Sequence, residues 1–263
     1  MKKGEYIPLL KTNIMDKDFK KYANSQGISS TLLDDYGKNL DNLTVKGAMT
    51  PYILEERKLR VTQMDIFSRL MKDRIVWAAG PVNDRMSTII QAQLMFLDSV
   101  DNTRDITLHL DTPGGSVKSG LSIVDVMDYI KADVQTVNTG MCASMGSILL
   151  GAGTKGKRST LRFSKVMIHQ VSHGWQGNIQ DTRVSHMEGE KYNYILFKLL
   201  SKYTGNDFDK ILKEAKNDRW FTSVEAKEFG IVDEIIEPKD GSGKMENLLE
   251  GFDEYYKNQN NIK

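Results

Sequence analysis

The sequence predicts an α/β fold built from alternating strands and helices. Three observations carry that expectation. Apolar residues alternate over Ile106, Leu108 and Leu110, the period of a strand. They recur at helical spacing over Met86, Ile90, Leu94 and Leu97. The two kinds of segment take turns along most of the chain, as they do where helices pack on a sheet. With 263 residues, 40% hydrophobic and 27% charged, the chain suits one folded domain with extensions and not a disordered one.

Taken in order, residues 1–48 are polar and weakly patterned and read as an N-terminal extension, with one short helix near Asp16 to Tyr22. Residues 49–64 alternate in charge around Glu55-Glu56-Arg57-Lys58 and suit a mobile loop or a docking arm. The compact domain is expected over 65–238, opening on a helical face of Ile66, Leu70 and Met71. Arg74 to Ala79 reads as a strand ending at Gly80-Pro81, and 84–99 as an amphipathic helix. The strand around Leu108 stops at Asp111-Thr112-Pro113-Gly114-Gly115. Val117, Leu121, Val124, Met127 and Ile130 mark the next helix, 134–139 the next strand and Ser147 to Leu150 a further helix. Strands are expected at Thr160 to Phe163 and Lys165 to His169, and a short ribbon at Gly174 to Ile179. Asp181 to Tyr203 is a long helix with apolar Val184, Met187, Tyr194, Phe197 and Leu200. Helices at Phe208 to Lys216 and Val224 to Phe229 and a strand at Ile231 to Ile236 follow, then a polar tail over 239–263 with a Gly241-Ser242-Gly243 linker.

Composition excludes several functions. A net charge of +1 argues against nucleic acid or an anionic membrane as main partner. Cys142, the single cysteine, leaves no intrachain disulfide or multi-cysteine metal site and suits a reducing compartment. No apolar run follows Met1-Lys2-Lys3, so no secretory signal is expected, and Asn42-Leu43-Thr44 reads as an accidental sequon. The longest apolar stretch, Met145 to Ala152, is too short to cross a membrane.

The chemistry is expected at Cys142-Ala143-Ser144-Met145-Gly146, where a strand gives way to a helix. Such a junction exposes a hydroxyl beside a helix N-terminus; it is also where a serine caps a helix, and the pattern leaves both open. A nucleophilic serine needs a base, an orienter for the base and donors for an oxyanion. Of the four histidines, His109 lies on a strand face opposite Leu108, His173 in a polar turn and His186 on the long helix. His169 ends an apolar strand, where a side chain projects into a cleft or serves the core. Gly114-Gly115 can turn backbone N–H groups toward a substrate, or simply make a turn. Gly151 to Arg158 nearly fits a phosphate-binding loop but ends in Arg158 where Ser or Thr is needed, and it follows a helix instead of a strand.

These residues resemble the ClpP family of serine proteases. The resemblance rests on Phe67-Ser68-Arg69-Leu70, Thr112-Pro113-Gly114-Gly115, Ala143-Ser144-Met145-Gly146, Gly153 to Arg158, Val166-Met167-Ile168-His169-Gln170, Asp218-Arg219-Trp220 and Gly230-Ile231-Val232-Asp233, in the family's order from about Met49 to Glu237. The 25 residues from Ser144 to His169 and 49 from His169 to Asp218 also match. The resemblance implies Ser144 as nucleophile, His169 as general base, Asp218 as its orienter, and the N–H groups of Gly115 and Met145 as the oxyanion donors. It implies a crotonase-like stack of ββα units with a protruding strand–helix handle over about 170–203, an axial N-terminal loop over 49–64, and a propeptide or permanent tail over 1–48. It further implies a cytoplasmic, self-compartmentalised endopeptidase of two heptameric rings that degrades unfolded proteins with an AAA+ unfoldase such as ClpX, ClpA or ClpC. The unfoldase would use the ATP; no cofactor or metal is expected in this chain, and no nucleic acid or membrane partner.

The sequence departs from the family in four places. Asn217 stands where many relatives have an arginine that pairs across the ring interface. Thr107, His109 and Ser159 fall in the usually aromatic pocket for the unfoldase, although Tyr129, Leu161 and Ile236 stay apolar. Val171-Ser172-His173-Gly174 replaces Pro-Leu-Gly-Gly in the substrate groove, and Asp111 replaces an asparagine before the glycine turn. An alternative expectation is therefore a low-activity or structural ring subunit paired with a second ClpP-like chain. A crotonase-type acyl-CoA enzyme is a third, disfavoured by the serine and histidine spacings.

Overall fold

The computed structural model describes residues 52–57, 60–172, 174, 177–239 and 249–260, in two compact units, Met1–Arg69 and Leu70–Lys263. In the first unit β1 (Tyr52–Arg57) and β2 (Arg60–Asp65) form an antiparallel hairpin. The sequence suggested only a loop or arm there. Asp65 then starts α1 (Ile66–Lys72): its carboxylate accepts from the Phe67 and Ser68 N–H groups at 3.0 and 3.1 Å and from the Ser68 hydroxyl. The bond from the Ser68 side chain, followed by that from its backbone, holds the Asp65 carboxyl below its usual range. The helix expected near residues 16–22 lies outside the described residues.

The second unit is organised on a seven-stranded sheet. β3 (Ile75–Ala79), β4 (Ile106–Thr112), β5 (Val134–Ala143), β6 (Arg158–Leu161) and β9 (Glu234–Ile236) run parallel in that order. β7 (Lys165–Ile168) joins β5 in parallel, and β8 (Arg219–Phe221) joins β7 antiparallel. Between them run α2 (Asp84–Val100), α3 (Val117–Tyr129), α4 (Met145–Gly151), α5 (Ile179–Thr204), α6 (Phe208–Glu214) and α7 (Ser223–Phe229). A further helix, α8 (Phe252–Asn260), lies in what the sequence suggested was only a polar tail.

The core follows from the apolar periodicity. Ile90, Leu94 and Leu97 of α2 and Ile123, Val124 and Met127 of α3 are buried with Val76, Leu108, Leu110 and Val134 of the sheet. α4 is buried along its whole length. In α5 the buried apolar side chains, Leu196, Phe197, Leu200 and Tyr203, lie in the C-terminal half, while Val184, Met187 and Tyr194 are exposed.

The feature that positions the site is a fork in β5. Residues 136–138 pair with β6, whereas residues 141–143 pair with β7. At the fork the register with β4 jumps from Leu110↔Asn138 to Thr112↔Cys142, so extra residues bulge from β5. Thr139 donates its hydroxyl proton to the Leu110 carbonyl, and the Met141 N–H donates to Asp111 Oδ1 at 3.0 Å. A Cβ on Gly140 would lie 2.6 Å from that same carboxylate oxygen, so a side chain there would displace the Asp111 carboxylate from the bulge. Gly140 also explains why the sequence pattern ends the strand at 139 while the pairing continues to Ala143.

Other differences have simple causes. β6 starts at Arg158, before the expected Thr160, because the Arg158 side chain is buried on Asp233 and so does not mark a loop. Ile231 and Val232 are buried but precede β9, because the chain first brings Asp233 onto Arg158. The ribbon expected over 174–179 falls partly outside the described residues; Gly174, Gly177 and Asn178 are in no strand, and Ile179 already opens α5 under an Asn178 cap.

Candidate active site

Ser144 occupies the single residue between β5 and α4. Its φ of 54° and ψ of −121° lie in a region that strains a residue with a Cβ. The strain is held from both sides. The Ser144 N–H donates to the Met167 carbonyl at 2.9 Å, extending the β5–β7 pairing, and its carbonyl accepts from the Ser147 N–H and hydroxyl at 3.0 and 2.7 Å. The side chain makes no capping bond to α4. The cap reading of this serine is therefore not what the geometry gives: Ser144 Oγ instead lies 2.8 Å from His169 Nε2.

His169 follows the last residue of β7 and Asp218 precedes the first of β8. The antiparallel register sets Ile168 opposite Arg219, so the next residue outward on each strand meets the other. His169 Nδ1 is 3.2 Å from Asp218 Oδ1. The imidazole side chain is 24% exposed and the carboxylate 63%, so the aspartate is wetted and its pull on the ring is screened. With Nδ1–H donated to Asp218, Nε2 is left to accept the serine proton.

Two residues expected to offer backbone N–H groups, Gly115 and Met145, line the same cleft as Ser144. Met145 is the first residue of α4, where an N–H has no intrahelical acceptor. Gly115 pairs with Val82 through the Gly114 carbonyl and the Ser116 N–H, and its own N–H takes no part in that pairing. Gly114 and Gly115 have φ of +89° and +144°. A Cβ on Gly114 would come within 2.6 Å of the Ala143 carbonyl oxygen, and one on Gly115 within 2.3 Å of the Val82 carbonyl oxygen. The buried Thr112 hydroxyl accepts from the Gly114 N–H at 3.0 Å and fixes the turn from below. The sequence-selected Ser144, His169, Asp218, Gly115 and Met145 therefore converge on one place. Beside them is a cleft of ≈ 170 Å³ with an apolar floor that includes Val117, Ile148, Phe197 and Leu200.

Asp111 does not line this cleft; it is exposed and accepts from the Met141 N–H of the bulge. Cys142 is fully buried, and burial, followed by the Asp111 charge, pushes its thiol well above the usual range. His109 stacks on Trp77, with ring centroids 4.8 Å apart and planes at 11°. Burial holds the His109 imidazole below its usual pKa, and its Nδ1 is buried without a partner. Thr107 and Ser159 lie on the same half-exposed sheet face, with Tyr129, Leu161 and Ile236 exposed. His186 and Asn217 are exposed, and His173 lies outside the described residues. Arg158 bonds Asp233 and the Tyr203 carbonyl, which leaves the phosphate-loop lookalike without a phosphate-binding end. The sequence did not point to Thr112, Ser147 or Asn193, whose Oδ1 accepts from the Val171 N–H at 3.0 Å. The Thr112 and Ser147 contacts reach only two and three residues along the chain but carry no periodic pattern, and the Asn193 contact spans 22 residues.

Chemically, the arrangement can move a proton from Ser144 to His169, stabilise the resulting imidazolium, and place backbone donors beside the attacked carbon. No helix among the described residues is long and apolar enough to cross a membrane. Comparison with known proteins gives a match to the family model for Clp protease over residues 57–239. An ATP-dependent Clp protease proteolytic subunit from Bacteroides fragilis (strain YCH46) is 46% identical over 220 residues, which cover 83% of this chain and 98% of that protein. The protein of that name from Bacteroides thetaiotaomicron is also 46% identical over 220 residues, with the same coverage. That from Porphyromonas gingivalis is 44% identical over 221 residues, covering 84% of this chain and 97% of its own length.

Proposed function

The chain belongs to the Clp protease family, whose members are serine-type peptidases with the ClpP, crotonase-like α/β fold, and from that premise we propose a mechanism and an assembly for it. Ser144 is the nucleophile, His169 the general base and acid, and Asp218 the orienter of the imidazole. Ser144 Oγ attacks a peptide carbonyl in the cleft as His169 Nε2 takes its proton. The N–H groups of Gly115 and Met145 hold the oxyanion. His169 then gives the proton to the leaving amine, and a water activated by the same imidazole hydrolyses the acyl-enzyme. The observation that carries this reading is the chain of contacts from Ser144 Oγ through His169, 2.8 Å on one side and 3.2 Å to Asp218 on the other.

The relatives' names specify ATP dependence. On this reading the ATP is used by a partner, an AAA+ unfoldase of the ClpX, ClpA or ClpC kind, that feeds unfolded protein to a cytoplasmic chamber. The chamber is two stacked heptameric rings, and the exposed apolar positions Val184 and Met187 of α5 suit a helix that packs on another subunit. The test is peptide hydrolysis by the sized assembly: wild type cleaves a short fluorogenic peptide and elutes as a large ring species, and Ser144→Ala elutes identically without cleaving. A stable monomer contradicts the chamber.

One observation favours a second reading. The half-exposed sheet face at Thr107, His109 and Ser159 is polar, which removes apolar area from the expected unfoldase pocket. On this reading the chain docks an unfoldase weakly, or shares its ring with a ClpP-like paralogue. Recovery of a homotetradecamer with tight unfoldase binding contradicts it.

A further inference from the structure

We propose that the first turn of α3 is a positioning device for the oxyanion-binding backbone, with Asp84 and Ser119 as its positioning residues; this rests on the peptidase reading above. Tandem glycines have the widest backbone freedom of any pair, so the direction of the Gly115 N–H must be imposed from outside. Its two neighbours are tied to one residue. The Val82 N–H donates to the Gly114 carbonyl at 2.8 Å, and the Ser116 N–H donates to the Val82 carbonyl at 2.8 Å.

Two residues after Val82, Asp84 grips the same segment through side chains. Ser119 Oγ donates to Asp84 Oδ1 at 2.6 Å, and the Ser119 and Ser116 hydroxyl oxygens lie 2.8 Å apart. A serine has one hydroxyl proton and an ionised carboxylate has none to give. The Ser119 proton therefore goes to Asp84, and Ser116 donates to Ser119. Ser116 in turn accepts from the Ser119 N–H at 3.2 Å as the cap of α3. The hydroxyl of buried Ser87 donates to the Ser119 carbonyl at 2.7 Å and closes the network from α2.

The same turn also reaches the second donor. Gly120, next to Ser119, is so close to Met145 that a Cβ there would meet the Met145 side chain at 2.3 Å. One helical turn is thus bonded to the residue beside Gly115, packed on Met145, and anchored to α2 by Asp84. The Asp84–Ser119–Ser116 chain sets how α3 enters after Gly115, and so where the two N–H groups converge.

The test uses the full-length assembled protein, a short fluorogenic peptide and a fluorophosphonate. Ser119→Ala and Asp84→Ala each lower kcat about tenfold, less than the loss of a whole oxyanion donor, and leave KM within about twofold. Phosphonylation slows in step, because it builds the same charge on oxygen. Asp84→Asn, whose amide oxygen can still accept from Ser119, keeps kcat within about threefold of wild type. The Asp84→Ala/Ser119→Ala double variant is no slower than the slower single one, because both break one chain. A kcat within about twofold of wild type in both single variants overturns the proposal. So do losses that multiply in the double variant, an Asp84→Asn as damaging as Asp84→Ala, or a fall in kcat matched by loss of the ring species on a sizing column. A wild type inert to both reagents overturns the peptidase reading as well; a reactive wild type with unaffected variants overturns this proposal alone.

Discussion

Ile168 pairs with Arg219 across the β7–β8 ladder, and this register is what brings Asp218 to 3.2 Å from His169. The aspartate is held by strand pairing and not by burial, since its side chain is 63% exposed. That sets different expectations for the two residues.

His169→Ala removes the base in contact with Ser144 Oγ and should lower kcat by at least about 10⁴-fold. Asp218→Ala should cost less, about 10²–10³-fold, because solvent screens its interaction with the ring. Steady-state hydrolysis of one short peptide by assembled variants measures both. Equal losses would mean that Asp218 does more than orient an exposed imidazole edge.

Gly115→Ala should abolish turnover and weaken the fold together. Its φ of +144° and the 2.3 Å approach to the Val82 carbonyl leave no room for a methyl group. The substitution should destabilise by about 2 kcal/mol or more. Thermal unfolding and peptide hydrolysis of the same preparation read the two effects.

Arg158 and Asp233 form the most enclosed ion pair of the domain's described residues, with side-chain exposures of 1% and 19%. Asp233→Ala leaves the guanidinium unpaired and should cost about 3 kcal/mol. Burial pushes the Asp233 carboxyl up, but bonds from the Arg158 side chain and backbone, its charge and the Gly156 N–H outweigh that and hold it below its ordinary 3.8. A depressed carboxyl stabilises the fold above the unfolded value and loses that stabilisation as pH falls through the folded one. The stability gap between wild type and Asp233→Asn should therefore be full near neutrality and shrink below about pH 3.8. Denaturant unfolding across that range checks the sign.

Among the described residues, the cleft beside Ser144 has no acidic, lysine or arginine side chain in its lining, and its floor includes Val117, Ile148, Phe197 and Leu200. Peptides with leucine, methionine or phenylalanine before the scissile bond should be cut at least about tenfold more efficiently than those with aspartate or lysine there. A matched peptide panel compared by kcat/KM decides it.

Much of this was legible in the sequence because burial follows local periodicity. Ile90, Leu94 and Leu97 announce a helix face, and Leu108 and Leu110 a strand face, and all five are buried. Ser144, Gly115 and His169 stand at element ends where small residues and a terminal histidine can be read locally. Asp218 came only from the resemblance: it is an exposed aspartate before a three-residue strand, and nothing near it marks a partner 49 residues away. The fork of β5 was hidden for a related reason. Gly140 breaks the alternation, and only the pairing of Met141 to Ala143 with β7 shows that the strand continues. The β1–β2 hairpin was hidden because the charges around Glu55 to Lys58 break any apolar stripe of strand period.

The central claim is that Ser144, activated by His169, is the residue that attacks the carbonyl. Incubation of the assembled wild type with a fluorophosphonate, followed by peptide mapping in a mass spectrometer, tests it most directly. The expected result is a single adduct on Ser144, absent from Ser144→Ala and formed far more slowly by His169→Ala. Undiminished labelling of Ser144→Ala, or no adduct on the assembled wild type, would contradict it.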